Sequence, residues 1–212
     1  MIRIHVNMNK IFERFYSYIS ASTWGFLSVI VGLLGDILAI LSFPGYNLNY
    51  MISDLALTPG GIFFDAGTIL SGVFALFLYI DLWRYLDSKT KDPIILKIGN
   101  ISAITSCCFF ILIGIFPSNK AIPFLFVTHG TVALISWITA IAYLSCYTFI
   151  FIKMKEFRAS YRYSGIVLIV LLLIFLFTWI PFWEWAMTLA VIYWILMTSI
   201  ELKKHENKIN VN

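Results

Sequence analysis

The basic residues of this chain alternate between the gaps left by six long apolar runs. Arg3, Lys10 and Arg14 precede the first run, and Arg84, Lys89, Lys91 and Lys97 follow the second. Lys153, Lys155, Arg158 and Arg162 follow the fourth, and Lys203, Lys204 and Lys208 follow the sixth. The gaps after runs one, three and five hold only Lys120. A helix of about 20 apolar residues crosses the hydrocarbon core of a bilayer. The runs therefore read as spans near 23–42, 62–81, 97–116, 124–151, 164–181 and 183–201. Lysine and arginine stay on the cytoplasmic side of short loops, so both termini are expected to be cytoplasmic. The expected fold class is all-α: a polytopic membrane bundle of six transmembrane helices over residues 23–201, in a cell membrane.

Composition supports lipid as the solvent. Only 12% of the residues are charged, about half the usual share in a soluble domain, and mean hydropathy is +0.88. The net charge of +4 sits in short loops that topology already explains, so nucleic acid is not an expected partner. Membrane lipid is. Cys107, Cys108 and Cys146 lie inside spans and make no disulfide framework. Residues 1–22 lack the apolar stretch of a signal peptide. Ile11, Phe12, Phe15, Tyr16 and Ile19 recur there at helical spacing beside Lys10 and Arg14, as in a helix lying on the membrane surface. Residues 202–212 read as a cytoplasmic polar tail. Asp81 with Arg84, and Glu201 with Lys204 and His205, read as solvated pairs at the inner boundary.

Three spans carry stripes of small residues that let helices approach closely: Ser28, Gly32 and Gly35; Thr68, Gly72 and Ala75; and Ala133, Ser136 and Ala140. Each stripe runs into an ionisable group, Asp36, Asp65 or His129. Residues 165–177 contain no polar side chain, so span five is expected to face lipid. A carboxylate at bilayer depth costs ~2.5–3.5 kcal/mol unless it is protonated, paired or wetted. Asp36, Asp65 and His129 all fall in the outer halves of their spans, near Ser53 and Asp54 of the first outer loop. Each also has a plain structural reading: a neutral acid bonded to a neighbouring helix, an acid at a helix N-terminus, a histidine tying two segments together, and a cap for a short turn at Ser53 or Asp54. Glu184 reads best as a helix N-terminal acid. Two acids and an imidazole would suit a metal, which makes Asp36, Asp65 and His129 the candidate ligands. No HExxH, HxxxH or CxxC spacing supports one, and the cofactor is unknown.

The stretches FPGYNLNYMISDL (residues 43–55), FDAGTILSG (64–72), GIFPSN (114–119) and HGTVALISW (129–137) resemble a prokaryotic multi-pass membrane family, domain of unknown function 998. In looser order they are similar to the Frag/DRAM/Sfk group of six-span proteins, which is linked to lipid handling and membrane trafficking. The resemblance covers roughly residues 25–145 and implies that Ser53, Asp54, Pro117 and His129 occupy motif positions. Asp65 stands where the group more often has a small or polar residue. No activity comes with the resemblance.

Three functions are compatible with these residues. The first is a polar pocket in the outer half of the bilayer, formed by Asp36, Ser53, Asp54, Asp65 and His129, that binds or handles a lipid or lipid-linked molecule. The second is a membrane-embedded hydrolase or transferase in which His129 and Asp65 are catalytic, with or without a metal. The third is a non-catalytic accessory subunit docking other membrane-protein subunits. On this reading Asp36→Asn and His129→Ala damage function more than Glu184→Gln.

Overall fold

The computed structural model describes residues 19–154 and 156–209, with side chains through 206. The expected surface helix within 1–22 lies outside the described residues apart from 19–22. The elements are α1 (Ala21–Leu41), a 3-10 segment (Ile52–Leu57), α2 (Gly61–Asp87), α3 (Pro93–Ile115), α4 (Pro123–Lys153), α5 (Ala159–Thr178) and α6 (Pro181–Ile209). No strand occurs among the described residues. Each of the six α-helices contains a stretch long and apolar enough to cross a membrane. The chain is a multi-pass membrane protein.

Proline placement sets several boundaries. Pro93, Pro123 and Pro181 occupy the first turns of α3, α4 and α6, where a missing N–H costs nothing and the fixed φ suits a helix. Pro44, Pro59 and Pro117 fall in loops, so no helix is broken internally. Long α4 therefore runs from Pro123 to Lys153 as one helix. Ser20 caps α1 by accepting from the Thr23 N–H. Between α5 and α6 only Trp179 and Ile180 intervene, and the two helices form a tight hairpin. Trp179 makes the turn with φ 52°, a left-handed conformation uncommon outside glycine. Its ring packs against Trp137 and Phe175.

The helices form a ring in chain order, with α6 closing against α1. The seams among α1–α4 are the tightest, and small residues explain why. A Cβ on Gly35 would stand 2.8 Å from the Gly67 Cα and 2.6 Å from the Phe63 carbonyl oxygen, so α1 and α2 touch backbone to backbone. Next to this contact Ser28 Oγ donates to the Ser71 carbonyl at 2.9 Å. Between α3 and α4, Ser106 Oγ donates to the Ser136 carbonyl at 2.9 Å and Ser136 Oγ returns the bond at 3.0 Å. In lipid such contacts replace the hydrophobic drive that water would supply. A double-mutant cycle of Ser106→Ala and Ser136→Ala, read by unfolding in detergent, is expected to give a coupling of about 0.6 kcal/mol and no more than about 1.7. Additive losses would show that the two bonds act separately.

One half of the ring is filled and the other is not. Tyr79, Tyr147, Phe151, Tyr161 and Trp194 are buried together toward the basic end. Tyr147 stacks on Tyr79 at 6.1 Å, and Tyr161 packs on Trp194 at 5.3 Å. Helix α5 turns Ile166, Val167, Val170, Leu173 and Phe177 outward, as its apolar sequence requires.

At the basic end α6 continues beyond residue 201 as helix through Ile209, and Leu202 and His205 are buried. Glu201 is only 2% exposed. Its carboxylate meets Arg158 Nε at 3.6 Å and also Lys204, which corrects its reading as a solvated surface group. Nearby, Phe157 packs against the His205 ring, as does Tyr85. Ser22 Oγ donates to Glu206 at 2.7 Å, tying α6 to α1. Lys89 pairs with Glu156 at 3.0 Å. Partial burial pushes the Glu156 carboxyl up, and the bonded Lys89 ammonium more than offsets it, leaving Glu156 below its ordinary value.

Candidate functional site

The unfilled half of the ring holds a cavity of about 160 Å³. Its wall comes from α1, α2, α3, α4 and α6, with Ile52 and Ser53 from the 3-10 segment and Leu172 alone from α5. His129 and Tyr143 both line it, and they are separated on α4 by about 21 Å of helix at 1.5 Å per residue. A volume near that of a benzene-binding cavity (about 150 Å³) spread over that length is a slender space. Its chemistry changes along the length. Asp36, Ser53, His129 and Glu184 mark the end under the 42–60 and 116–122 loops. Val29, Ala75, Cys107, Ala140, Val191 and Ile195 continue toward a floor where Tyr79 Oη donates to Tyr143 Oη at 3.0 Å.

The polar end is built by two loops folded back onto helices. Residues 42–60 are long for a connection in a compact bundle, and they are anchored at several points. Glu184, near the start of α6, accepts the Ile52 N–H at 2.8 Å and further bonds from the Ser53 hydroxyl and N–H. Asp54 accepts the Met51 N–H at 3.1 Å and closes a capping box on the 3-10 segment. Both carboxylates lie where the orphan N–H groups of a helix start need acceptors. Tyr46 Oη donates to the Met51 carbonyl at 2.6 Å, and Trp185 Nε1 donates to the Tyr50 carbonyl at 3.2 Å. Burial pushes the Tyr46 phenol up, and the nearby charges of Glu184, Asp54 and Asp36 push it further, so it remains a donor at neutral pH. Beneath the loop a small core of Ala39, Ile52, Leu55 and Phe64 completes the cover.

The second loop, 116–122, is held by His129. Its Nδ1 lies 2.7 Å from the Phe116 carbonyl oxygen. A carbonyl can only accept, so Nδ1 carries the proton, and Nε2 of the neutral ring is an acceptor. His129 is 7% exposed and lines the cavity. The structural reading of this residue therefore holds at one nitrogen and leaves the other available for chemistry. Asp36 also lines the cavity and makes no hydrogen bond to a protein group among the described residues.

Five residues were singled out from sequence as a pocket. Asp36, Ser53 and His129 share the cavity wall, and Asp54 lies just behind it in the cap. Asp65 does not line the cavity; one of its carboxylate oxygens is buried without a hydrogen-bond partner among the described residues. No group of three or more histidine, cysteine, aspartate or glutamate side chains is placed to hold a metal among the described residues. Asp36, Asp65 and His129 are thus not gathered as a ligand set. Glu184 was passed over as a helix-terminal acid, and it is the most deeply buried group at the polar end, 3% exposed. Its partner is Ile52, 132 positions away, and nothing local to Glu184 signals that contact. Thr68, named from sequence only as a packing residue, lines the cavity, as do Ser71, Thr188 and the Tyr79–Tyr143 pair, which were not singled out.

No curated protein and no solved structure matches the chain. A family model does match, over residues 26–201, from the second turn of α1 to the buried Glu201 of α6, and the chain belongs to that family, described as protein of unknown function (DUF998).

Proposed function

We propose that this protein binds a lipid or lipid-linked amphiphile, with the polar end of one chain held among Asp36, Ser53, His129 and Glu184 and its apolar part lying along the ring interior. The observation that carries this reading is the slender cavity of about 160 Å³, with its ionisable groups at one end and a mostly apolar wall, broken by hydroxyls such as Ser28, Ser71, Ser106 and Ser136, along the rest. That volume excludes a whole two-chain lipid and suits a single unbranched chain. A second chain or larger group would lie along the looser seams that α5 and α6 make with their neighbours. The basic loops belong to the cytoplasmic side of a cell membrane, which puts the polar end in the outer leaflet and both termini inside. A catalytic use of His129 would act through its Nε2 with Asp36 rather than Asp65, because only Asp36 shares the cavity with it.

The test is a cavity-filling substitution. Ala133 lines the cavity and is 1% exposed. Ala133→Leu is expected to lower the amount of co-purifying amphiphile about tenfold, read by native mass spectrometry of protein folded by gel filtration. The same bound species at the same occupancy in both proteins, or none in the wild type, would end the proposal.

A further inference from the structure

The cavity has carboxylates and no cations. Asp36 and Glu184 line it, and no lysine or arginine does. Hydrogen-bonding capacity is skewed in the same direction. His129 Nδ1 is committed to Phe116, so Nε2 accepts. The Ser53 hydroxyl and N–H are committed to Glu184. Ser28 is bonded to Ser71, and Ser106 to Ser136, across helix seams. Asp36 has no protein donor among the described residues. A ligand entering this end meets two carboxyl groups and an imidazole acceptor besides the Thr68 and Thr188 hydroxyls, and what Asp36 and Nε2 lack is a donor.

Resting on the reading that the cavity holds an amphiphile, we infer that the ligand's polar end is a primary ammonium group, held at the end of the cavity lined by Asp36, Glu184 and His129. An ammonium has three donors and no acceptor, which complements this set. A carboxylate or phosphate would face Asp36 and Glu184 with no protein cation to offset the repulsion. A hydroxyl would satisfy one acceptor and neutralise nothing. Charge-assisted bonds are roughly twice as strong as neutral ones, so selection for the ammonium is large. The aromatic walls from Phe64, Phe110 and Trp137 tolerate the cation and the first methylenes behind it.

The experiment compares dodecylamine, dodecanol and dodecanoate at equal loading in phosphatidylcholine nanodiscs carrying the wild-type protein, with binding read by native mass spectrometry. A second arm replaces them with lysophosphatidylethanolamine and lysophosphatidylglycerol. The expected order is amine above alcohol by about tenfold or more, with the carboxylate weakest. Asp36→Asn should bring the amine down to the level of the alcohol. If dodecylamine alone is selected the ligand is a free amine, and if lysophosphatidylethanolamine is also preferred over lysophosphatidylglycerol the ammonium belongs to a lipid head group. Equal binding of amine and alcohol, or preference for either anionic probe, overturns the ammonium and leaves an amphiphile cavity standing. Failure of every probe to bind overturns both. The wild-type ranking decides the question even if the Asp36 variant does not fold.

Discussion

Gly35→Val is expected to prevent recovery of folded protein, and Gly35→Ala to destabilise it by about 3 kcal/mol. The reason is what a side chain would meet. A Cβ at residue 35 falls 2.6 Å from the Phe63 carbonyl oxygen and 2.8 Å from the Gly67 Cα. Both are α2 backbone atoms, which cannot rotate away as a side chain can. The helices must separate, and separation loses the Ser28–Ser71 bonds as well as the contact itself. It also moves Asp36, the next residue, away from the cavity. Gly67→Ala should cost less, since its Cβ would approach only to 2.9 Å, at the Gly35 Cα. Gly130 provides the control. Nothing lies within 4 Å of a Cβ there, and alanine is the better helix former by about 0.8–1.0 kcal/mol, so Gly130→Ala should be neutral or stabilising. Thermal unfolding in one detergent orders the three. If Gly35→Ala matches Gly130→Ala, the α1–α2 contact is not as close as described.

Glu184→Leu is the second large effect. It leaves the buried Ile52 N–H and the Ser53 donors without an acceptor, at about 1–3 kcal/mol for each buried group left unsatisfied. The 42–60 loop should loosen while the helices persist, because the Trp185–Tyr50 bond and the small apolar core of Ala39, Ile52, Leu55 and Phe64 are the ties to the helices that stay. Hydrogen exchange is the discriminating measurement: faster exchange is expected at Ile52 and Ser53, with little change in α3 and α4. Glu184→Gln keeps one oxygen acceptor and should show a milder form of the same change. For loop closure this reverses the order expected from sequence, in which Glu184→Gln was the mildest of three substitutions. His129 and Asp36 contribute less to the cover, through one carbonyl bond and none. Uniform exchange across all four segments after Glu184→Leu would mean that the glutamate supports the whole bundle and not the loop.

Much of the candidate site was visible in the chain because an ionisable group inside an apolar run has few explanations. Asp36 and His129 stood out for that reason, and both reach the cavity. Asp65 stood out equally and does not. Depth along a helix follows from counting residues, but the direction of a side chain depends on how the helix is rotated against its neighbours. The small-residue stripes indicated faces that pack, and Gly35 against Gly67 is such a contact. They could not say whether the adjoining acid points inward. Span boundaries were limited differently. Helix α2 runs to Asp87 and α6 to Ile209, past the apolar cores, because hydropathy reports where lipid ends while hydrogen bonding continues the helix into the polar region.

Six helices long and apolar enough to cross a membrane, and the alternation of basic residues between the gaps that separate them, were decided by primary structure. Each depends on local composition and on the high cost of exposing charge or unpaired backbone to hydrocarbon. Only the folded ring decided that Glu184 closes the 42–60 loop, that Glu201 is buried and that a slender void runs between His129 and Tyr143. Those features arise from contacts between residues far apart in the chain, whose geometry is set by helix rotation and close packing rather than by any neighbouring residue.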